Sequence, residues 1–340
     1  MKKLMCGNEK MRTRSKQKIS VVLCVFNGAS FLRQQLDSIA MQTVQPDELI
    51  ISDDCSTDAT VYIAYEFKRV AKFPVSIRIN KINLGYLKNF ESAASTAKYD
   101  FVFFSDQDDI WHPDKIKVFM DTFNTHDNCG YVFSDAMLID SKNNLVGESL
   151  WSTIGFNSYR RKKYSAGMQL EVMLNNGNFV YGNGLAFRNT YRDLIYPMPN
   201  EGSSNIISHD VWILLVLSLT GAYGIAVPKT CYSYRQHSQQ VVGAQMKTAV
   251  TRLVELEQWA EWVHLYQALL AKTNDISSDP GSRQQVHQKI RHLEARLEIS
   301  KRFLIPRVIL ASRELLTFRY FRFSRGFLSW CKDIYLEPTY

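Results

Sequence analysis

No two of the six cysteines stand at a CxxC spacing, and the seven histidines are equally scattered, which leaves little room for a structural zinc site. With no secretory apolar segment ahead of them, Cys6, Cys24, Cys55, Cys129, Cys231 and Cys331 read as reduced thiols of a cytosolic protein. No GxGxxG follows a strand-like run, so the fingerprint of a dinucleotide site is missing. No apolar run is long enough for a bilayer. Residues 211–227 come nearest, but they span 17 positions, contain Ser218, Thr220 and Gly221, and fall short of the roughly 20 that a span needs. Leu4-Met5-Cys6-Gly7 resembles a lipoprotein cleavage site without the apolar segment that should precede one. Residues 1–17 are therefore expected to be a disordered basic leader. Only nine prolines, with 46% apolar and 12% aromatic residues over 340 positions, argue for one large core or two modest ones.

Acidic charge is scarce at the two ends. Residues 1–18 hold seven Lys/Arg and one Glu, and residues 301–335 hold eight Lys/Arg against Glu314 and Asp333. The whole chain carries +8, so the rest is mildly acidic, which suits a cation-using site between basic ends. No helix-turn-helix, zinc-finger or RNP pattern accompanies those ends, so nucleic acid is not an expected partner. An anionic membrane surface suits them better.

The most informative stretch is residues 101–109, Phe-Val-Phe-Phe-Ser-Asp-Gln-Asp-Asp, an apolar run ending in three carboxylates within four positions. The run reads as a buried parallel strand. Carboxylates crowded at its end repel one another unless a cation sits among them, and hard oxygen ligands suit Mg²⁺ or Mn²⁺. An EF-hand is excluded, because Trp111 would fall where that loop needs glycine. A second cluster, Asp53-Asp54-Cys55-Ser56-Thr57-Asp58, follows the apolar residues 49–51. Residues 19–28 form another β-branched run that ends in a polar turn. Strands are expected at 19–25, 48–52, 75–80, 100–105 and 131–137, with helices at 30–41, 57–71, 86–97 and 113–126. That alternation argues an α/β fold with a mostly parallel sheet and helices on both faces. Glycine-rich residues 138–208 read as loops, 209–220 as a helix and 222–228 as a strand.

Taken in order, residues 21–27, 53–58, Asn83-Leu84-Gly85 with Asn89, 105–109 with 111–115, 182–188, His209-Asp210 and 234–237 resemble the family 2 glycosyltransferases. The resemblance covers roughly residues 18–240 and is strongest to bacterial enzymes of O-antigen and capsule synthesis, rhamnosyl- and hexosyltransferases among them. It implies a GT-A nucleotide-sugar-binding fold followed by a helical C-terminal extension over 241–340. It also implies that Cys24, Phe26, Asp53, Asp54, Asn83, Asn89, Asp106 and Arg235 serve the nucleotide. Cys24 stands where Thr or Ser is more usual, so its side chain is expected to contribute little. Asp106, Asp108 and His237 are implied as holders of Mg²⁺ or Mn²⁺, and Gly182, Asn183, Gly184 and His209 as the acceptor side. Asp210 takes the position of the general base, and Asp109 is expected either to contact the donor sugar or to cap the following helix.

The expected activity is inverting, metal-dependent sugar transfer from a UDP- or dTDP-sugar to a polyprenyl-diphosphate-linked oligosaccharide at the inner face of the cell membrane. After residue 240 the chain turns helical, over 248–273 and 281–303, and residues 304–335 interleave aromatics with arginines. Such a segment fits either a membrane interface or packing on the catalytic domain. Two rival readings fit the residues less well. A nucleotidyltransferase should carry a basic glycine-rich loop where this chain has Asn27-Gly28-Ala29-Ser30. A catalytically inactive scaffold should have lost Asp106, Asp108 or Asp210, and all three are present.

Overall fold

A computed structural model describes residues 17–176, 179–199, 208–238, 240, 252–276 and 279–335. The expected leader, apart from residue 17, and the start of the helix expected at 248 lie outside the described residues. The first half runs β1 (Ile19–Val25), α1 (Leu32–Ala40), β2 (Glu48–Asp53), α2 (Thr60–Val70), β3 (Val75–Ile79), α3 (Tyr86–Ala94) and β4 (Phe101–Ser105). The middle holds β5 (Ile110–Trp111), α4 (Lys115–Thr125), β6 (Cys129–Asp140), β7 (Leu145–Ser149), α5 (Leu150–Ile154), α6 (Ser158–Ser165) and α7 (Gln169–Asn176). Then come β8 (Leu185–Arg188), α8 (Arg192–Ile195), α9 (His209–Leu219) and β9 (Tyr223–Gln236). The described residues after β9 hold α10 (Arg252–Lys272), α11 (Pro280–Ser300), α12 (Leu304–Leu316), α13 (Arg319–Phe323) and α14 (Phe327–Tyr335).

The nine strands among the described residues belong to one sheet, ordered β3-β2-β1-β4-β8-β6-β9-β5, with β7 on β6. The first four are mutually parallel, β8 reverses, and β6 and β9 return to the original direction, so the sheet is mostly parallel as expected. β1, β2 and β4 are buried along their whole length, because helices cover both faces. Their side chains alternate between two cores. Val22, Cys24, Ile50, Val102 and Phe104 face a core built with α3, α7, α9, α10 and α11. Val21, Leu23, Leu49, Ile51, Phe101 and Phe103 face one built with α1, α2 and α4.

Two expectations change. The strand expected at 222–228 runs on to Gln236, with Pro228 and Lys229 skipped in the register against β6; proline has no N–H for the ladder, and a bulge absorbs it. Residues 138–208, expected as loops, hold β7, α5, α6, α7, β8 and α8. Of the C-terminal helices, α10 and α11 place Trp259, Tyr266, Leu269 and Leu293 in the cluster that contains Phe104 and Trp212, while Ile299, Ala311 and Ile334 form a small cluster of their own. The apolar run from 211 is the wholly buried α9, and among the described residues no helix is long and apolar enough to cross a membrane.

The chain leaves β1 outward to β2 and β3, then returns to β4 on the other side of β1. Ligands of open α/β sheets bind at such a switch point, outside the carboxyl ends of the strands. Phe26, Asp53 and Asp106 stand there, at the ends of β1, β2 and β4.

Candidate active site

The turn after β1 is pinned by its neighbours. Gln107, between the two acidic residues, accepts from Phe26 N (2.8 Å) and donates to Phe26 O (3.0 Å). This needs Gly28, because a Cβ there would lie 2.1 Å from Gln107 Oε1. Asn27, in the left-handed region at φ 47°, accepts from Thr57 N (2.9 Å) and donates its own N–H to Ser56 Oγ (2.9 Å). The ring of Phe26 is left 45% exposed at the mouth of the site.

The double aspartate divides its work. Asp54 is buried and accepts from Asn80 Nδ2 (2.8 Å), Leu84 N (2.8 Å) and Gly85 N (3.0 Å). It holds the 80–85 loop and has little capacity left for a base. Asp53 accepts from Ser56 N through Oδ2, while its Oδ1 is buried without a hydrogen-bond partner among the described residues. An orphaned buried carboxylate oxygen calls for a donor from a ligand or an ordered water. Asn83 accepts from Gly85 N (3.0 Å) within its own loop. Asn89 was expected at the nucleotide, but it is buried and donates to Ser52 O (3.0 Å) while accepting from Ser52 Oγ (2.7 Å) and Asn80 Nδ2 (3.1 Å). It fastens β2 to α3. Cys24 is buried beneath, its thiol pushed well above its usual range by burial and then by Asp106 and Asp54.

Two carboxylates past β4, Asp106 and Asp108, and Asp210 of α9 act on one another by charge. Burial, followed by the charges of Asp108 and Asp210, pushes Asp106 up to about 7. Asp108 lies 2.8 Å from His237 Nε2, whose ring also stands 4.9 Å from that of Phe31. Asp210, in the first turn of α9, is buried, with Oδ1 accepting from Val211 N (2.7 Å) and from Ser208 Oγ. Beside it Tyr181 is raised to about 12 by burial and by the Asp210 charge, so it stays a phenol. No ready-made cluster of three metal-type ligands exists among the described residues. The donor set nevertheless fits a hard divalent cation, because mutual repulsion of oxygen donors is what such an ion relieves.

Several motif residues stand elsewhere than expected. Asn183 is fully buried: Oδ1 accepts from Trp111 Nε1 (2.7 Å) and Asp106 N (3.4 Å), Nδ2 donates to Asp109 Oδ2 (2.8 Å), and its carbonyl accepts from Lys115 Nζ. It carries the acidic loop rather than facing an acceptor. The space beside Gly182 is filled by His209, whose Nε2 would lie 2.1 Å from a Cβ there, and Gly184 stands against Tyr232. His209 itself is buried and stacked on Phe90 at 4.0 Å, and burial lowers its pKa, so it packs as a neutral ring. Arg235 was expected to grip a diphosphate. Its fork instead donates to Asp108 O (2.6 Å), Asp140 O (3.1 Å), Asn143 Oδ1 (2.5 Å) and Gln34 Oε1 (2.9 Å), over the Phe31 ring. Asp109 neither reaches solvent nor caps a helix: it accepts from Asn183 and from Arg235 N (2.9 Å). Gln107, Lys115 and Tyr181 were missed. Lys115, buried 3.6 Å from the Trp111 ring centroid, lies in the 111–115 stretch of the resemblance, which assigned it no role.

An acidic cluster at the switch point of an open sheet marks a nucleotide-using α/β enzyme. Comparison with known proteins narrows the class. The chain belongs to glycosyl transferase family 2, whose model matches residues 20–192. It is 31% identical over 238 residues to the dTDP-rhamnosyl transferase RfbG of Shigella flexneri, covering 66% of this chain and 74% of that protein. Over 122 residues it is 32% identical to the O-antigen chain rhamnosyltransferase RfbN of Salmonella typhimurium, 36% of this chain and 35% of that one. In structure it is similar to the mannosyltransferase PcManGT of Pyrobaculum calidifontis, solved with GDP-Man and Mn²⁺. The TM-score is 0.55 at 13% identity, over 94% of this chain and 86% of that one. At that identity the likeness carries the fold alone, and it is the GT-A fold.

Proposed function

We propose that this glycosyltransferase moves a sugar, with inversion, from a dTDP- or UDP-sugar to a hydroxyl of a polyprenyl-diphosphate-linked oligosaccharide in bacterial surface-polysaccharide synthesis. The observation that carries the proposal is that Asp106 stands close enough to Asp108 and Asp210 for their charges to raise it, together with the unpartnered Asp53 Oδ1 at the end of β2. The names of RfbG and RfbN favour a deoxythymidine donor, rhamnose as the sugar and O-antigen as the product class. The protein would work at the cytoplasmic face of the membrane, where such acceptors are built, with residues 18–240 as the transferase unit and the later helices as an extension of it.

In this account the pyrimidine stacks on Phe26 and gives its ring N–H to Asp53 Oδ1, with the Cys24 thiol a passive floor. Asn83 borders the base from the 80–85 loop. Asp106 and Asp108, with His237, would hold Mg²⁺ or Mn²⁺, which when bound offsets charge growing on the departing diphosphate. Asp210 takes the proton of the acceptor hydroxyl as its oxygen bonds the anomeric carbon. The bond from that carbon to the diphosphate breaks, and the nucleoside diphosphate leaves with the electron pair. A single base and no carboxylate nucleophile give one displacement and an inverted centre. Gln107, Asn183, Asp109 and Arg235 keep the loops in place. A panel of nucleotide sugars offered with a lipid-diphosphate oligosaccharide tests the proposal. Transfer from a pyrimidine-linked donor, dTDP-rhamnose first, is expected, and transfer from purine donors alone would overturn it.

A further inference from the structure

Away from the catalytic end, the outer surface of α12–α14 carries a run of exposed large apolar side chains. Ile305, Ile309 and Leu316 recur four and seven residues apart, share one face of α12, and are 74%, 49% and 78% exposed. The chain then turns at Phe318, which is 72% exposed and sits in the left-handed region at φ 59°. Side chains other than Asn and Asp seldom adopt that conformation. Phe321 follows with its ring centroid 6.3 Å from that of Phe318, and Phe327 and Leu328 are exposed on α14. A strained turn that presents an aromatic ring to water adds nothing to folding, which points to a binding role.

Charge identifies the occupant. Residues 301–335 contain two acids, and both turn inward. Glu314 is buried against His292 and Arg319, and Asp333 against Arg252, Arg296 and Tyr320. The exposed charge of this segment is therefore of one sign. Arg313, Arg322 and Arg325 are exposed and make no ion pair among the described residues. Arg291 of α11 joins Arg319, Arg322 and Phe318 along a groove of about 290 Å³ beside the turn. A second copy would have to set this cationic face against itself, which like charge disfavours. An anionic bilayer meets both halves of the surface, headgroup phosphates at the arginines and acyl boundary at the rings.

We propose that the α12–α13 turn docks the protein on anionic membrane. Leu316, Phe318 and Phe321 enter the interface, while Arg291, Arg313, Arg322 and Arg325 engage lipid phosphates. The proposal depends on the lipid-linked acceptor only for its use, since a docked enzyme meets an acceptor confined to the bilayer surface.

Flotation of the full chain with phosphatidylglycerol–phosphatidylcholine vesicles over a salt series tests it, beside Phe318→Asn and the double variant Arg313→Gln/Arg322→Gln. Asparagine accepts the left-handed turn, so Phe318→Asn should melt no lower than the parent. The parent is expected to float, and to float less as salt rises. Phe318→Asn should bind about tenfold more weakly, and the arginine variant should flatten the salt dependence. Release of nucleoside diphosphate from the donor sugar in solution should be unchanged in both. The proposal is overturned if Phe318→Asn floats like the parent. It is also overturned if the parent binds pure phosphatidylcholine equally well, or if it ignores vesicles and forms dimers that the variants dissociate. Vesicle binding as expected, with no donor turned over by any form, would leave the docking surface standing and remove the sugar-transfer proposal instead.

Discussion

Replacing Asp109 with alanine should damage this protein more than any exposed acid would, because two buried donors depend on it. Asp109 is wholly buried, with Oδ2 accepting from Asn183 Nδ2 at 2.8 Å and Oδ1 from Arg235 N at 2.9 Å. Burial, then the charges of Asp108 and Asp106, hold its carboxyl well above the usual range, while burial holds Lys115 well below its own. Asp109→Ala strands an amide and a backbone N–H in a dry site. At about 1–3 kcal/mol for each unsatisfied buried group, the expected loss is about 2–6 kcal/mol. That is a large share of the roughly 5–15 kcal/mol by which a domain is stable. Asp109→Asn keeps an acceptor and should lose about half as much. Equilibrium unfolding in urea reads both, through the midpoint at constant slope. If Asp109→Ala costs less than about 1 kcal/mol, the loops are not tied as described. Activity should fall with stability, since Asn183 also accepts from Asp106 N.

Two further outcomes follow from the same geometry. Asp108→Asn should lower transfer about a thousandfold with the fold intact, and chelation of the parent should do the same; turnover in EDTA, or full activity in the variant, contradicts a metal role. His292 is buried between Glu314 Oε1 (2.8 Å) and Ser324 Oγ (2.7 Å), and burial lowers it to about 4 despite the neighbouring carboxylate. The unfolded chain therefore binds the extra proton first, so this contribution is complete above about pH 6.5 and is lost as pH falls toward 4. Relative to His292→Gln, the parent should lose about 3 kcal/mol over that window in urea titrations, and parallel curves would refute it.

Much of the fold was legible because its strands announce themselves. Residues 21–25, 49–51 and 101–104 are unbroken apolar runs, as strands covered on both faces must be. The acidic loop was legible for a related reason: carboxylates packed after such a run need either a cation or a ligand. What could not be read was which motif residue faces a ligand and which faces the protein. Asn183 meets Asp109 across 74 positions, and Arg235 meets Gln34 across 201, so neither bond leaves a trace in local pattern. Asp53 and Asp54 stand side by side in the sequence, yet only one keeps an unpartnered oxygen, because the other is claimed by the 80–85 loop. The C-terminal segment showed arginines among aromatics but not that Glu314 and Asp333 turn inward and leave a surface of one sign.

The central claim is that Asp210 removes the acceptor proton, and the most direct measurement sets transfer against donor binding in Asp210→Asn. Its carboxylate is buried at the start of α9, close enough to Asp106 for its charge to raise that group. General-base catalysis is worth about 10²–10⁴ in rate, and a base acts in the transition state rather than in the bound ground state. Single-turnover transfer should therefore fall by about that factor, while calorimetric affinity for the nucleoside diphosphate stays within about twofold. Transfer at the parent rate, or a loss of rate matched by an equal loss of nucleotide affinity, would contradict the account.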